Sequence, residues 1–164
     1  MNLAELESRL QKLEDAEAIR QLKSRYFFAC DRKDPQTVRS CFIDGPMLID
    51  YGAVGRFDNA DALVALYTEV GCHDYMVEMH HGANAQIEVH DGERASGRWS
   101  LHYFLINTKT KSCTQLGGQY EDEYRKIGAQ WKISRTQFLA TSTLVLDINE
   151  ALAKILFAGR APGA

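Results

Sequence analysis

Several things are missing from this 164-residue chain, and each absence removes a class of function. It has no excess of positive charge: 19 Lys and Arg stand against 22 Asp and Glu, interspersed, for a net charge of −3. That is not the basic footprint of a nucleic-acid binder, so no nucleic-acid partner is expected. No run approaches the ~20 apolar residues of a membrane span, so no membrane partner is expected. G-x-G-x-x-G and G-x-x-x-x-G-K are both absent, which argues against the common nucleotide loops. There is no G-x-S-x-G nucleophile elbow. Cys30, Cys41, Cys72 and Cys113 include no C-x-x-C pair. Buried free thiols are therefore expected rather than metal ligands or disulfides, and that suits a reducing compartment. His73, His80, His81 and His90 lack the spacing of a metal site, so neither metal nor cofactor is expected. The N-terminus is charged and amphipathic rather than a secretion signal, and a cytoplasmic protein is expected.

What is present is an ordinary globular composition, 45% hydrophobic and 25% charged. It predicts a single domain over 1–164 with a sizeable core. Leu3, Leu6, Leu10 and Leu13 make one apolar stripe on a helix over 2–14, suited to packing on its own domain or on another subunit. Asp15 either caps a new helix or lies within the same one. Ile19, Leu22 and Tyr26 continue the helical pattern, and Phe27, Phe28 and Cys30 widen the apolar surface near its end. Asp34-Pro35 stops the helix and starts a short second one carrying Val38, Cys41 and Phe42. A short strand over 47–51 and a bend over 52–55 lead to a second strand near Arg56-Phe57. A third helix follows, with Leu63, Leu66, Tyr67 and Val70 on it and Gly71 as its stop. The stretch 72–78 has no clear pattern.

From His80 the period changes to that of long strands: 80–90, 95–108, 112–127 and 130–145, joined by polar turns. Strands of this length predict curvature, and Gly117-Gly118 predicts a bulge. A short helix over 148–157 is expected to close the chain. Helices first and a meander afterwards give an α+β class: a cone-shaped α+β barrel, with long N-terminal helices packed in a strongly curved antiparallel sheet around an interior pocket.

Chemistry is expected from few residues. His80 and His81 are neighbours on a strand, so they point to opposite faces and only one can enter the cavity; strand parity leaves open which. Histidine, with an unperturbed pKa near ~6.5, is the best single base at neutral pH. Asp31 ends an aromatic-rich helix, where a buried carboxylate needs a partner. An Asp–His hydrogen bond would fix the imidazole tautomer. Tyr26 and Asp31 are ~140° apart on an ideal helix, so a common site requires the helix to end or bend between them, or the pocket to wrap its terminus. Tyr26 and Tyr51 are phenols able to polarise a carbonyl. Trp99 and Tyr103 share one strand face and His102 lies on the other; these three and Phe27 are the expected substrate-binding residues. Tyr120, Asp122 and Tyr124 read as a solvated or interface pattern, and Arg135 as a surface ion-pair residue.

Four segments, taken together, resemble the SnoaL-like group of the nuclear transport factor 2-like superfamily. They are Ala18 to Tyr26 with Asp31, Met79-His80-His81-Gly82 to Ile87, Ala95-Ser96-Gly97-Arg98-Trp99, and Gly117-Gly118 to Ile133. The likeness is to the branch of scytalone dehydratase, bile acid 7α-dehydratase and hexachlorocyclohexane dehydrochlorinase. It implies a His–Asp pair at the base of a cone-shaped cavity, made by His80 rather than His81 and by Asp31, with Tyr26 and Tyr51 beside it. His102 is a loose counterpart of a second histidine. Ala140 stands where the bile acid enzyme has a basic residue, which counts against a coenzyme A thioester substrate. The resemblance also implies a homo-oligomer, with a trimer favoured and a dimer possible.

The expected function is a cofactor-independent lyase, of dehydratase or dehalogenase type, acting on a small hydrophobic steroid-like or aromatic molecule. Two alternatives are an isomerase of the ketosteroid or polyketide type and a non-catalytic small-molecule binding protein. This fold hosts many activities, so the function has to be argued from the site.

Overall fold

The computed structural model describes residues 2–149, 153–156, 158 and 159. Helix α1 runs unbroken over Leu3–Asp31, its start closed by a reciprocal capping box between Asn2 and Glu5. Asp15 caps nothing. It is buried at mid-helix and accepts hydrogen bonds from Lys126 Nζ at 2.7 Å and Trp131 Nε1 at 2.9 Å. Ile19, Leu22 and Tyr26 face the core as expected, and each large apolar side chain so buried contributes roughly 1.5–3 kcal/mol. The N-terminal stripe does not pack on the domain: Leu3, Leu6, Leu10 and Leu13 are all exposed.

Helix α1 ends in a complete Schellman turn. The Lys33 amide donates to the Cys30 carbonyl and the Asp34 amide to that of Ala29, while Lys33 takes the left-handed conformation at φ 59°. Asp34 then caps helix α2, Pro35–Ser40, with Pro35 in its first turn. Strands β1, Leu48–Asp50, and β2, Arg56–Phe57, flank a single 3-10 turn over Gly52–Val54. Helix α3 covers Ala60–Val70 and is capped by Asn59.

The long strands are β3 (Met76–Val89), β4 (Arg94–Asn107), β5 (Ser112–Ile127) and β6 (Gln130–Asp147). Strand β3 therefore starts at Met76, inside the stretch that had no clear pattern. The six strands form one curved, unclosed sheet in the order β2-β1-β6-β5-β4-β3. All neighbours are antiparallel except β1 and β6, which are parallel. The register of β5 on β6 slips between Gly117 and Gly118, at the predicted bulge. A Cβ on Gly118 would lie 2.3 Å from the Phe138 ring, so only glycine lets that ring cross the strand. The three helices pack on this sheet as an α+β cone.

The predicted closing helix over 148–157 is not found where the chain is described. Residues 148, 149 and 153–156 are non-helical; 150–152 and 157 lie outside the described residues. No helix among the described residues is long and apolar enough to cross a membrane.

Candidate active site

Between the sheet and the helices lies a cavity of about 320 Å³. Its sheet wall carries Glu78 and His80 from β3 and Tyr103 from β4. Tyr26 from α1, Tyr51, and Tyr120 from β5 line it too, and α3 contributes Leu63, Leu66, Tyr67 and Val70. Apart from these polar tips the lining is apolar, as in small-molecule pockets generally.

His80 and Asp31 meet. Asp31 Oδ1 lies 2.6 Å from His80 Nδ1, and both carboxylate oxygens also accept from the His80 backbone amide, at 3.1 and 3.2 Å. A carboxylate only accepts, so Nδ1 carries the proton and Nε2 is left as the basic nitrogen. The imidazole stacks on Phe27 at 5.8 Å and 12°, and Tyr103 lies against it at 4.8 Å. Phe27 can hold that position because residue 82 is glycine: a Cβ there would sit 2.3 Å from its ring. Asp31 is not on the cavity lining. It stands behind His80 at the last helical position, while Tyr26 enters the cavity from the helix flank, so the pocket wraps the helix end and the angular gap between them is no obstacle.

The Tyr26 and Tyr51 hydroxyls share one hydrogen bond at 3.0 Å. Burial, and for Tyr26 the neighbouring Tyr51 phenol as well, holds both above the ordinary phenol pKa. The pair thus stays protonated, and one of its two protons remains for a third acceptor.

The other predicted binding residues divide. Tyr103 is on the cavity wall. Phe27 and Trp99 are buried next to it but do not line it: Phe27 backs the imidazole, and Trp99 Nε1 donates to Tyr124 Oη at 2.9 Å. His102 is exposed on the outer sheet face, opposite Tyr103, because neighbours on a strand alternate. His81 lies on that outer face too, directly across from His102.

Sequence reasoning missed two groups. Glu78 is one; it sits in the formerly patternless stretch, ion-paired with Lys33 and accepting from Tyr103 Oη at 2.6 Å. The other lies beneath the aromatic floor. Lys23 and Asp122 form an ion pair at 2.7 Å with both side chains 0% exposed. Asp122 also accepts from Tyr124 at 2.8 Å and Thr136 at 2.6 Å. The ammonium sits 3.7 Å from the centre of the Tyr120 ring. Burial pulls the Lys23 pKa below the ordinary lysine value, against the opposing pull of Asp122. The Tyr120–Asp122–Tyr124 face is therefore the buried face, not a solvated one: its alternation holds two aromatics, and its one charge is neutralised from α1. Arg135 pairs at the surface with Glu123 at 3.5 Å, as read.

Comparison with known proteins places this architecture. The SnoaL-like domain model matches residues 11–137. Among solved structures, LinA is 20% identical over 93% of this chain and 99% of its own, with a TM-score of 0.79. A hexachlorocyclohexane dehydrochlorinase, LinA-type3 from Novosphingobium barchaimii, is 18% identical over 93% and 99%, at 0.76. A scytalone dehydratase-like protein from Novosphingobium aromaticivorans is 21% identical over 93% and 95%, at 0.72. At these identities the likeness is one of fold.

Proposed function

The chain belongs to the SnoaL-like domain family, and from that premise we propose that it is a cofactor-independent lyase acting on a small hydrophobic molecule. One observation carries the reading: a carboxylate-oriented histidine, with Nδ1 bound to Asp31 at 2.6 Å, stands on the wall of a largely apolar cavity. The neighbouring folds that carry dehydratase-like and dehydrochlorinase names agree with it.

In this mechanism His80 Nε2 takes a proton from a substrate carbon. The released C–H electron pair becomes a new double bond, and water or halide leaves from the adjacent carbon with its own bonding pair. Asp31 stabilises the imidazolium. The remaining proton of the Tyr26–Tyr51 pair is donated to oxygen that gains negative charge, and a departing hydroxyl takes its proton from the imidazolium, which returns His80 to its neutral form. A cavity near the lower end of the ~300–1,000 Å³ range of ligand sites favours a compact aromatic or alicyclic substrate over an extended one.

The test is a screen of hydroxylated and halogenated aromatic and steroid-like compounds, read by mass. Loss of water or hydrogen halide, abolished in His80→Ala, is expected. Turnover that persists in a folded His80→Ala protein overturns the assignment. The phenol pair also favours a second reading, an isomerase that returns the proton to another carbon, since the same donors would hold an enolate. Unchanged product mass identifies that reaction.

The four unpaired cysteines suit a cytoplasmic setting. The exposed leucine stripe of α1 suits self-association into a homo-oligomer, trimeric by preference. Sedimentation of Leu6→Glu/Leu10→Glu, expected to run smaller than the parent, tests this.

A further inference from the structure

Glu78 is unusual among the cavity-facing groups. Its side chain is only 7% exposed, yet it is a carboxylate among lining groups that are otherwise apolar, phenolic or, at His80, an imidazole. It is placed by two independent devices. It is two residues before His80 on β3, so both point into the cavity. Its counter-ion Lys33 comes from the Schellman turn, at a position where glycine is the preferred residue. A left-handed backbone is unfavourable for a residue that bears a side chain. The chain nonetheless keeps a lysine there, and that lysine reaches Glu78.

One Glu78 oxygen meets Lys33 and the other accepts from Tyr103 Oη at 2.6 Å. A carboxylate has about four acceptor sites, so capacity remains on the cavity side. Because Lys33 already neutralises the charge, a second cation gains little there, and a neutral donor is the better match. Burial and the Glu78 charge raise the Tyr103 pKa, so its proton stays on the phenol and its bond to Glu78 persists. Tyr103 also contacts the imidazole, so a group held by Glu78 lies beside the base.

We infer that Glu78 and Tyr103, backed by Lys33, form a second polar subsite that receives a neutral hydroxyl of the substrate as hydrogen-bond donor and orients the ring system against His80. The inference rests on the reading of the cavity as a small-molecule site, but it does not need turnover. Glu78 would be the residue in contact with substrate, and Lys33 a positioning residue.

Fluorescence titration with 2-naphthol and naphthalene tests it. The wild-type protein is expected to bind the naphthol at least about tenfold more tightly, the worth of one hydrogen bond to a charged acceptor. In Lys33→Met/Glu78→Leu, which leaves no orphaned charge, the ratio should fall to about one. In Glu78→Gln, which keeps the shape, it should fall part of the way. It should be unchanged in His80→Gln, which retains bulk beside Tyr103. Equal affinities in the wild type, including no saturable binding of either probe, overturn the proposal. An unchanged ratio in both Glu78 variants does the same, as does a parallel loss of both probes. Tighter wild-type binding of 2-naphthylmethylammonium than of the naphthol also overturns it, because it would mean an uncompensated carboxylate. Turnover retained in His80→Gln, with the naphthol preference intact there and lost in the double variant, sinks the lyase mechanism alone.

Discussion

The molecule contains two carboxylate–base pairs of nearly equal length in very different settings. Asp31 and His80 are 2.6 Å apart on the cavity wall, with side chains 18% and 15% exposed. Lys23 and Asp122 are 2.7 Å apart beneath the aromatic floor, with no exposure. In the first pair Nε2 stays uncommitted toward the cavity. In the second, Asp122 takes three hydrogen bonds and the ammonium lies against an aromatic face. No buried side-chain nitrogen or oxygen among the described residues lacks a partner. The two pairs therefore differ not in bond length but in access: His80 lines the cavity and neither Lys23 nor Asp122 does.

That contrast is open to direct attack. The largest expected effect is at the wall: His80→Ala should lower turnover by ~10²–10⁴-fold or more while shifting the urea midpoint little. The inverse is expected at the floor. Lys23→Met strands a buried carboxylate and should cost about 3–5 kcal/mol in urea unfolding, and Lys23→Met/Asp122→Leu should recover much of that. If Lys23→Met lost activity without losing stability, the floor pair would belong to the chemistry and the contrast would collapse.

Gly82→Ala tests the link between packing and base. The added Cβ drives Phe27 off the imidazole, at about 1–3 kcal/mol of overpacking, with activity falling further than stability alone explains.

The smallest effect concerns a third pair, Asp15 with Lys126. Burial acts to raise the Asp15 pKa, but hydrogen bonds from Lys126 and Trp131 together outweigh it and leave it below 3.8. A depressed carboxylate stabilises the fold above its unfolded pKa, and that stability is lost as pH falls through the folded value. Asp15→Asn should therefore destabilise by on the order of 1 kcal/mol at pH 7 and converge with the parent at a pH below the lowered folded value. Equal differences at both pH values would show that packing, not charge, is at stake.

Much of this was legible beforehand. The helix stripe, the Asp34-Pro35 stop and the long strands follow from local periodicity, which the tertiary structure obeyed. The meeting of His80 with Asp31 was expected from the pattern of four segments that also holds Tyr26, and Tyr51 from a separate likeness to a strand tyrosine of the bile acid enzyme. What escaped depended on pairing across the chain. Lys23 and Asp122 are 99 positions apart, and each alone reads as a surface charge. Glu78 meets Lys33 across 45 positions. His102 was misplaced because alternation tells which residues share a face but not which face turns inward. Asp15 was ambiguous for a related reason: its partners come from β5 and β6, and a capping residue looks the same in sequence.

The Schellman turn carries one further consequence. It presents Asp31 and Lys33 together, and they fasten to His80 and Glu78, two positions on the turn against two on the strand. The polar wall is thus a single riveted piece in which neither member drifts without the other. Elsewhere on the lining, α3 buries only Ala60 and Leu63 and meets the cavity with Leu63, Leu66, Val70 and the ring of Tyr67. Substitutions confined to α3 would therefore reshape the cavity while leaving the Asp31–His80 and Lys33–Glu78 contacts as they are.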